Sequence, residues 1–270
     1  MGTVTLQFLG QAGFVLKGQS VSVAIDPFIS DSLADRLFPC PVPMAELASV
    51  DLVLATHEHP DHLDLKGLGV WLDLAPTLRV VVPQPIVGLA ERGGIPAANL
   101  TGMQPGEHVS LKGAVVQAVT ALHGVETADA YTFGTEISHG LVRYLGYVVE
   151  IDGLRIYHAG DTLDHEGLAE TLRELETDVA LLPINGRDAR REAQDIVGNL
   201  SAEEAADLAK RSGIRTAVPM HYDMFADNSG SPGDFVKALE GSGISVLVPS
   251  RGVAIPLPRL SRSTPATATR

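Results

Sequence analysis

Three imidazoles and three carboxylates fall within nine consecutive residues, Thr56-His57-Glu58-His59-Pro60-Asp61-His62-Leu63-Asp64. Ionisable groups crowded this closely cost free energy unless they are paired or bound to a metal. Neutral imidazole and carboxylate suit zinc, manganese and iron, and His-x-His-x-Asp-His offers four such ligands before the chain turns away. Pro60 lacks an amide hydrogen and disfavours helical backbone at His59, so these side chains are expected on a loop. A helical zincin site is thereby excluded: H-E-x-x-H needs a second His four residues after the first, and Asp61 stands there. A single His in a polar loop would read as a solvated side chain; a cluster of titratable groups reads as a site.

The neighbouring elements must present this stretch. Val4 to Leu9, Phe14 to Lys17 and Val21 to Ile25 read as antiparallel strands. The third ends on Asp26-Pro27, where Asp26 is either a turn initiator or a carboxylate that orients the metal loop. Asp31 to Leu47, with Pro39, Pro41 and Pro43, reads as a loop rimming the site. Asp51 to Ala55 is a short buried strand that delivers the cluster, and Leu65 to Leu74 shows helical spacing. Ala114 to Ala121 runs to His123, Leu154 to Tyr157 runs into His158-Ala159-Gly160-Asp161, and Arg215 to Val218 ends near His221. After Asp161 helices alternate with strands. Ser201 to Arg211 carries a capping box, Ser201 with Glu204, and Gly213 as its stop. The order is strand-rich and then mixed, twice over, which fits two sheets packed face to face with helices outside and site residues along one edge.

At 270 residues with 45% hydrophobic content, the chain can bury a sizeable core, and no linker interrupts it. A single domain over 1–258 is expected, with a Ser-, Thr-, Pro- and Arg-rich tail over 259–270. No apolar run approaches the ~20 residues that span a bilayer. The start lacks a signal-peptide pattern and the one cysteine, Cys40, has no disulfide partner, so a cytoplasmic setting is expected. A net charge of −13 argues against nucleic acid as a partner, because such binding draws its affinity from cationic neutralisation of phosphates.

The set Asp26, His57-Glu58-His59-Pro60-Asp61-His62, His123, Asp161 and His221, in this order and spacing, resembles the metallo-β-lactamase superfamily from Val4 to about Pro256. The resemblance implies an α/β fold, an αββα sandwich of two mostly antiparallel sheets flanked by helices, with a site for one or two divalent metal ions at its edge. It implies His57, His59 and His123 on one ion, Asp61, His62 and His221 on a second, Asp161 bridging, and Asp26 as a carboxylate behind the ligands. Flavodiiron members carry Glu at the second His of the motif, whereas His59 is intact. The phrases Ala55 to Asp64, Gln104-Pro105-Gly106-Glu107, Tyr157 to Thr162 and Pro219-Met220-His221-Tyr222-Asp223 resemble the L-ascorbate-6-phosphate lactonase-like branch. That branch implies a cytoplasmic metal-dependent hydrolase acting on a lactone or phosphorylated sugar acid. The archetypal lactonases are longer and carry an acid where His123 stands, and related short members often carry His where Gln11 stands.

A divalent ion held by such ligands lowers the pKa of bound water toward ~7, so hydroxide is the expected nucleophile and the ion polarises the carbonyl. No G-x-S-x-G elbow is present, and Cys40 lies between Pro39 and Pro41. Asp61 is the candidate to orient the water and accept its proton, with His158, His139 or a second metal-bound water protonating the leaving oxygen. His158 alternates with Tyr157 on a strand and reads first as a satisfied core histidine. Asn185, Arg187 and Asp188 follow a buried strand; Arg187 is either a clamp for carboxylate or phosphate or a solvated salt bridge, and Arg143 is of the same kind.

The sequence thus leads to a metallo-hydrolase with zinc first, manganese or iron next, cleaving an ester or lactone in a small anionic metabolite. Self-association of the domain is left open. A phosphodiesterase or nuclease on the same centre would need a basic groove, and a binding protein without turnover would fit a missing ligand.

Overall fold

Strand-forming runs dominate both ends of the chain, and in the computed structural model, which describes residues 3–258, they form two sheets of seven strands each. The expected tail over 259–270 lies outside the described residues. The first half contributes β1 (Thr5–Gly10), β2 (Gly13–Lys17) and β3 (Ser22–Ile25), joined by tight turns into an antiparallel meander. A one-turn helix, α1 (Met44–Leu47), then precedes β4 (Leu52–Leu54), α2 (Leu65–Leu74), β5 (Arg79–Pro83), α3 (Val87–Arg92) and β6 (Leu100–Met103). From β3 through β6 every pairing is parallel. Parallel neighbours need a crossover, and α2 and α3 supply it.

The second half repeats this plan. β7 (His108–Leu111), β8 (Ala114–Thr120), β9 (Leu145–Ile151) and β10 (Leu154–His158) pair antiparallel in succession. Then α4 (Leu168–Glu174), β11 (Val179–Pro183), α5 (Ala189–Glu192), α6 (Ala202–Arg211), β12 (Thr216–Met220), α7 (Pro232–Ala238) and β13 (Ser245–Val246) follow, with β10 to β13 all parallel. Finally β14 (Ala254–Pro256) crosses back to pair antiparallel with β1.

The αββα reading holds, with one correction. The sheets are mixed rather than mostly antiparallel: each has three antiparallel and three parallel pairings. The helices between β4 and β6, and between β10 and β13, impose the parallel half. Strand β6 was not expected, because Thr101-Gly102 interrupts any apolar alternation.

The main core fills the space between the sheets, where Phe8 and Phe14 of the first meet Tyr147, Val149 and Tyr157 of the second. A second core lies on the outer face of the first sheet. There α2 turns Leu68, Trp71 and Leu72 onto Val53 and Val80. Asp64, the last residue of the histidine-rich stretch, caps this helix by accepting from Gly67 N at 2.9 Å. Its other oxygen accepts from Ile29 N and Ser30 N, so the same carboxylate ties the helix start to the loop after β3. At α6 the capping box forms as the sequence predicts: Ser201 Oγ accepts from Glu204 N, and Glu204 Oε2 accepts from Ser201 N.

Candidate metal centre

Parallel strands place their carboxyl ends together, and in this fold the tips of β3, β4, β10 and β12 share one edge with the segment that follows β8. Asp26 follows β3, Thr56 to His62 follow β4, His123 follows β8, Asp161 follows β10, and His221 follows β12. Ligand atoms of His57, His59, His123 and Asp161 lie within 4.8 Å of one another, as do those of Asp61, His62 and His221. Asp161 connects the two groups. Its Oδ2 is 3.5 Å from His123 Nε2 and 3.2 Å from His221 Nε2, and its Oδ1 is 3.3 Å from His62 Nε2.

His62 and His59 are each turned by a partner on the far side of the ring. Asp26, at a left-handed φ of 46°, accepts from Thr56 N and Thr56 Oγ1 and from His62 Nδ1 at 2.7 Å. That bond leaves His62 Nε2 facing the centre. His59 Nε2 donates to the Val125 carbonyl at 2.8 Å, which leaves His59 Nδ1 facing inward, 2.7 Å from His57 Nε2. The Val125 amide is held in turn by Asp129, which also accepts from Glu126 N and from the Tyr144 hydroxyl. Tyr144 presents its ring edge-on to both His57 and His123.

The donor set fits a divalent cation. His62 Nε2 and Asp161 Oδ1 are buried without a hydrogen-bond partner although 3.3 Å apart, as expected of two lone pairs aimed at a common ion. Burial and the surrounding imidazoles hold His57 well below the usual range, and burial with the other histidines takes His123 down to about 3, so both are neutral and able to offer a lone pair to a cation. Burial would depress His62 too, but Asp161, Asp26 and Asp61 outweigh it and push it up to about 10 when no cation is present. Burial would raise Asp161; His221, His62 and His123 overcome this and hold it well below the carboxylate range.

Gln11, noted from sequence only as a departure from related short members, belongs to the cluster. Gln11 sits in the turn between β1 and β2 at φ 55°, fully buried. Its Nε2 donates to Asp61 Oδ2 at 3.0 Å and lies 3.1 Å from His221 Nε2, and its carbonyl accepts from His221 N at 2.7 Å. A polar residue at a strand tip, flanked by Gly10 and Gly13, was the available signal.

A cavity of about 240 Å³ opens onto the cluster, with His59, Asp61, Asp161 and His221 at its base. Leu33 and Asp35 reach it from the Pro-rich loop that the sequence placed at the rim. Ile196, Val197 and Phe225 complete an apolar wall, and Asp195, Asp227 and Asn228 stand beside them.

Several nominated residues lie elsewhere. His158 is buried with both ring nitrogens occupied: Nε2 donates to Ala12 O at 2.7 Å and Nδ1 accepts from Gly160 N at 3.1 Å. It braces two turns and has no proton to give a leaving group. His139 is exposed on the loop after β8, at φ 54°, and is not among the residues lining the cavity. Arg187 forks onto Glu204 with two 2.7 Å bonds. Asp188 caps α5 and pairs with Arg191, while Arg143 pairs with Glu58 and Asp129. Asn185 stands behind the wall, bonded to Asn199 and to the cavity residue Asn228. Of the two readings the sequence left for Arg187 and Arg143, anion clamp or salt bridge, the salt bridge is present, and each of these side chains has an internal partner.

No helix among the described residues is long and apolar enough to cross a membrane. Residues 22–222 match the family model described as the beta-lactamase superfamily domain. A UPF0173 metal-dependent hydrolase of Thermococcus onnurineus is 31% identical over 256 residues, 94% of this chain and 100% of that protein. One from Archaeoglobus fulgidus is 32% identical over 246 residues, covering 90% and 94%. Among solved structures, a metallo hydrolase from Ignicoccus hospitalis superposes with a TM-score of 0.73 at 24% identity, over 96% of this chain and 100% of that one. With its two mixed sheets and the histidine–aspartate cluster at their shared edge, the chain belongs to the metallo-β-lactamase superfamily, in the UPF0173 metal-dependent hydrolase family.

Proposed function

We propose that this protein hydrolyses a C–O ester or lactone bond in a small molecule, as its resemblance to the lactonase-like branch implies. The observation that carries the reading is the pair of ligand groups sharing Asp161 at the base of a cavity of about 240 Å³. A divalent ion bound there supplies a Lewis acid and lowers the pKa of water toward ~7. Zinc is the first choice, with manganese and iron suited to the same ligands.

The chain's own residues account for the rest. Asp61, with 15% of its side chain exposed, is the acid that both faces the cavity and is held by Gln11, so it orients the attacking water and takes its proton. The apolar wall excludes bulk water from the reacting carbonyl. Covalent catalysis has no support here: Cys40 is partly buried, burial raises its thiol pKa, and it bonds to Val42 O. A polynucleotide phosphodiesterase would need a cationic groove, whereas this cavity is lined by carboxylates. A cytoplasmic setting is part of the same reading, since Cys40 has no disulfide partner.

The test is metal content per chain, measured on the parent, His59→Ala and His221→Ala, followed by a screen of lactones, esters and phosphodiesters with the metal found. Two equivalents that fall in each variant, with turnover of a lactone or ester, are expected. A parent protein that binds no zinc, manganese or iron overturns the hydrolase reading.

A further inference from the structure

The wall of the cavity carries a charge pattern that the cleavage chemistry does not require. Asp35, Asp195 and Asp227 line the space together with the apolar Leu33, Ile196, Val197 and Phe225, and no Lys or Arg among the described residues lines it. Asp195 is fixed in place: at φ 62° its Oδ1 accepts from Thr127 N at 2.8 Å and from Thr127 Oγ1 at 2.7 Å, and these bonds keep the carboxyl ionised. Asp227 meets Arg190 at 3.1 Å with both side chains largely exposed, so that pair is heavily screened. Asp35 has no ion-pair partner among the described residues. At the base of the same space stands Asp161, the carboxylate that connects the two ligand groups, so the apolar wall and its three acids lie on the approach to the candidate metal centre.

The basic side chains nearest in sequence are already committed. Arg36 is bonded to the Ser30 and Phe38 carbonyls, Arg187 to Glu204, and Arg191 to Asp188 and the Asn185 carbonyl. Two divalent ions at the centre and Arg190 beside Asp227 bring five positive charges against the six carboxylates of Asp26, Asp61, Asp161 and the wall, so the space stays acidic. An anionic tail on the substrate would therefore face repulsion, and a cationic one attraction.

We propose that the cavity selects a substrate whose apolar body lies against Leu33, Ile196, Val197 and Phe225 and whose far end carries an ammonium or guanidinium group facing Asp35, Asp195 and Asp227. This rests on the metal-centre reading above and names the substrate class for that site. It replaces the anionic metabolite that the lactonase-like resemblance implied.

The test uses binding rather than turnover. Cobalt(II)-loaded protein is titrated with three benzyl thiols bearing a para aminomethyl, hydroxymethyl or carboxylate group, and binding is read from thiolate-to-cobalt absorption. At low ionic strength the aminomethyl compound is expected to bind about tenfold more tightly than the carboxylate, a preference that shrinks with salt. In an Asp35→Asn/Asp195→Asn double variant the ratio should fall towards that of the free thiols for cobalt, because differences in thiol basicity cancel between the two proteins. Equal ratios in parent and variant, or preference for the carboxylate, overturn the proposal while leaving the metal centre intact. Failure of cobalt to bind overturns the metal-centre reading and this one with it; cobalt binding without any thiol response overturns the cavity assignment alone.

Discussion

His62 Nδ1 lies 2.7 Å from Asp26 Oδ2, and both side chains are wholly removed from solvent. The same carboxylate holds the Thr56 amide and hydroxyl, so one buried acid sets both the start of the ligand loop and the orientation of its last imidazole. Asp26→Asn keeps an acceptor for the Thr56 amide but removes the charge. The expected outcome is a loss of about 10- to 100-fold in metal affinity, measured by chelator competition, with the fold retained.

Gln11→Ala should act on one half of the centre. Gln11 is hydrogen-bonded to Asp61 and His221, which belong to the second ligand group, and its side chain makes no hydrogen bond to His57, His59 or His123. A metal titration is expected to resolve one equivalent bound as in the parent and one weakened by about tenfold or more. Equal weakening of both equivalents would sink this assignment.

Asp129 serves the opposite half. Removing it strands the Tyr144 hydroxyl, a buried group whose loss of a partner costs about 1–3 kcal/mol, and releases the Val125 and Glu126 amides, which lie nearer solvent. Asp129→Ala should lower Tm and weaken the ion held by His59, whose Val125 partner would be released. Chemical denaturation and metal titration on the same sample measure both effects.

The metal-free protein should be most stable near pH 6.5. His62, raised to about 10 from an unfolded value of 6.5, contributes stability that is complete below 6.5 and is lost as the pH climbs through its folded value. His57 and His123 are depressed, so the unfolded chain takes up protons that the folded one refuses, and stability falls as the pH drops below 6.5. Thermal melts of chelator-treated protein across this range test the dome. A curve that keeps rising above pH 8 contradicts it.

Trp71→Ala separates packing from the site. The indole is fully buried under α2 against the outer face of the first sheet, remote from the ligand side chains in its contacts. A loss of about 3–5 kcal/mol in unfolding free energy is expected. Metal stoichiometry at low temperature should be unchanged.

Much of this was legible before any coordinates. Strand runs ending in Asp26, His57, His123, Asp161 and His221 could be read because a short apolar run followed by an ionisable residue is a local pattern. The αββα layering followed from the repeated order of strands and helices. What the sequence hid depends on partners far along the chain. Arg187 could be read as an anion clamp or a salt bridge until Glu204 was found beside it, and Gln11 looked like a turn residue until His221, 210 positions away, was found bonded to it. His158 could be read as core or catalytic, and only the Ala12 carbonyl at 2.7 Å decides between them. Parallel pairing was also hidden, since strand direction is set by the crossovers rather than by composition.

The division of strands between two sheets has a consequence for assembly. Asp26 and the His57 to His62 loop hang from the first sheet, while His123, Asp161 and His221 hang from the second. Neither half of the chain carries a complete ligand group, so an ion is a clasp between halves that are contiguous in sequence but meet only late, after long-range contacts form. A chain nicked between β6 and β7 would keep the shared core and the β14–β1 pairing, and its metal would add a further clasp whose removal by a chelator loosens the join without parting the pieces.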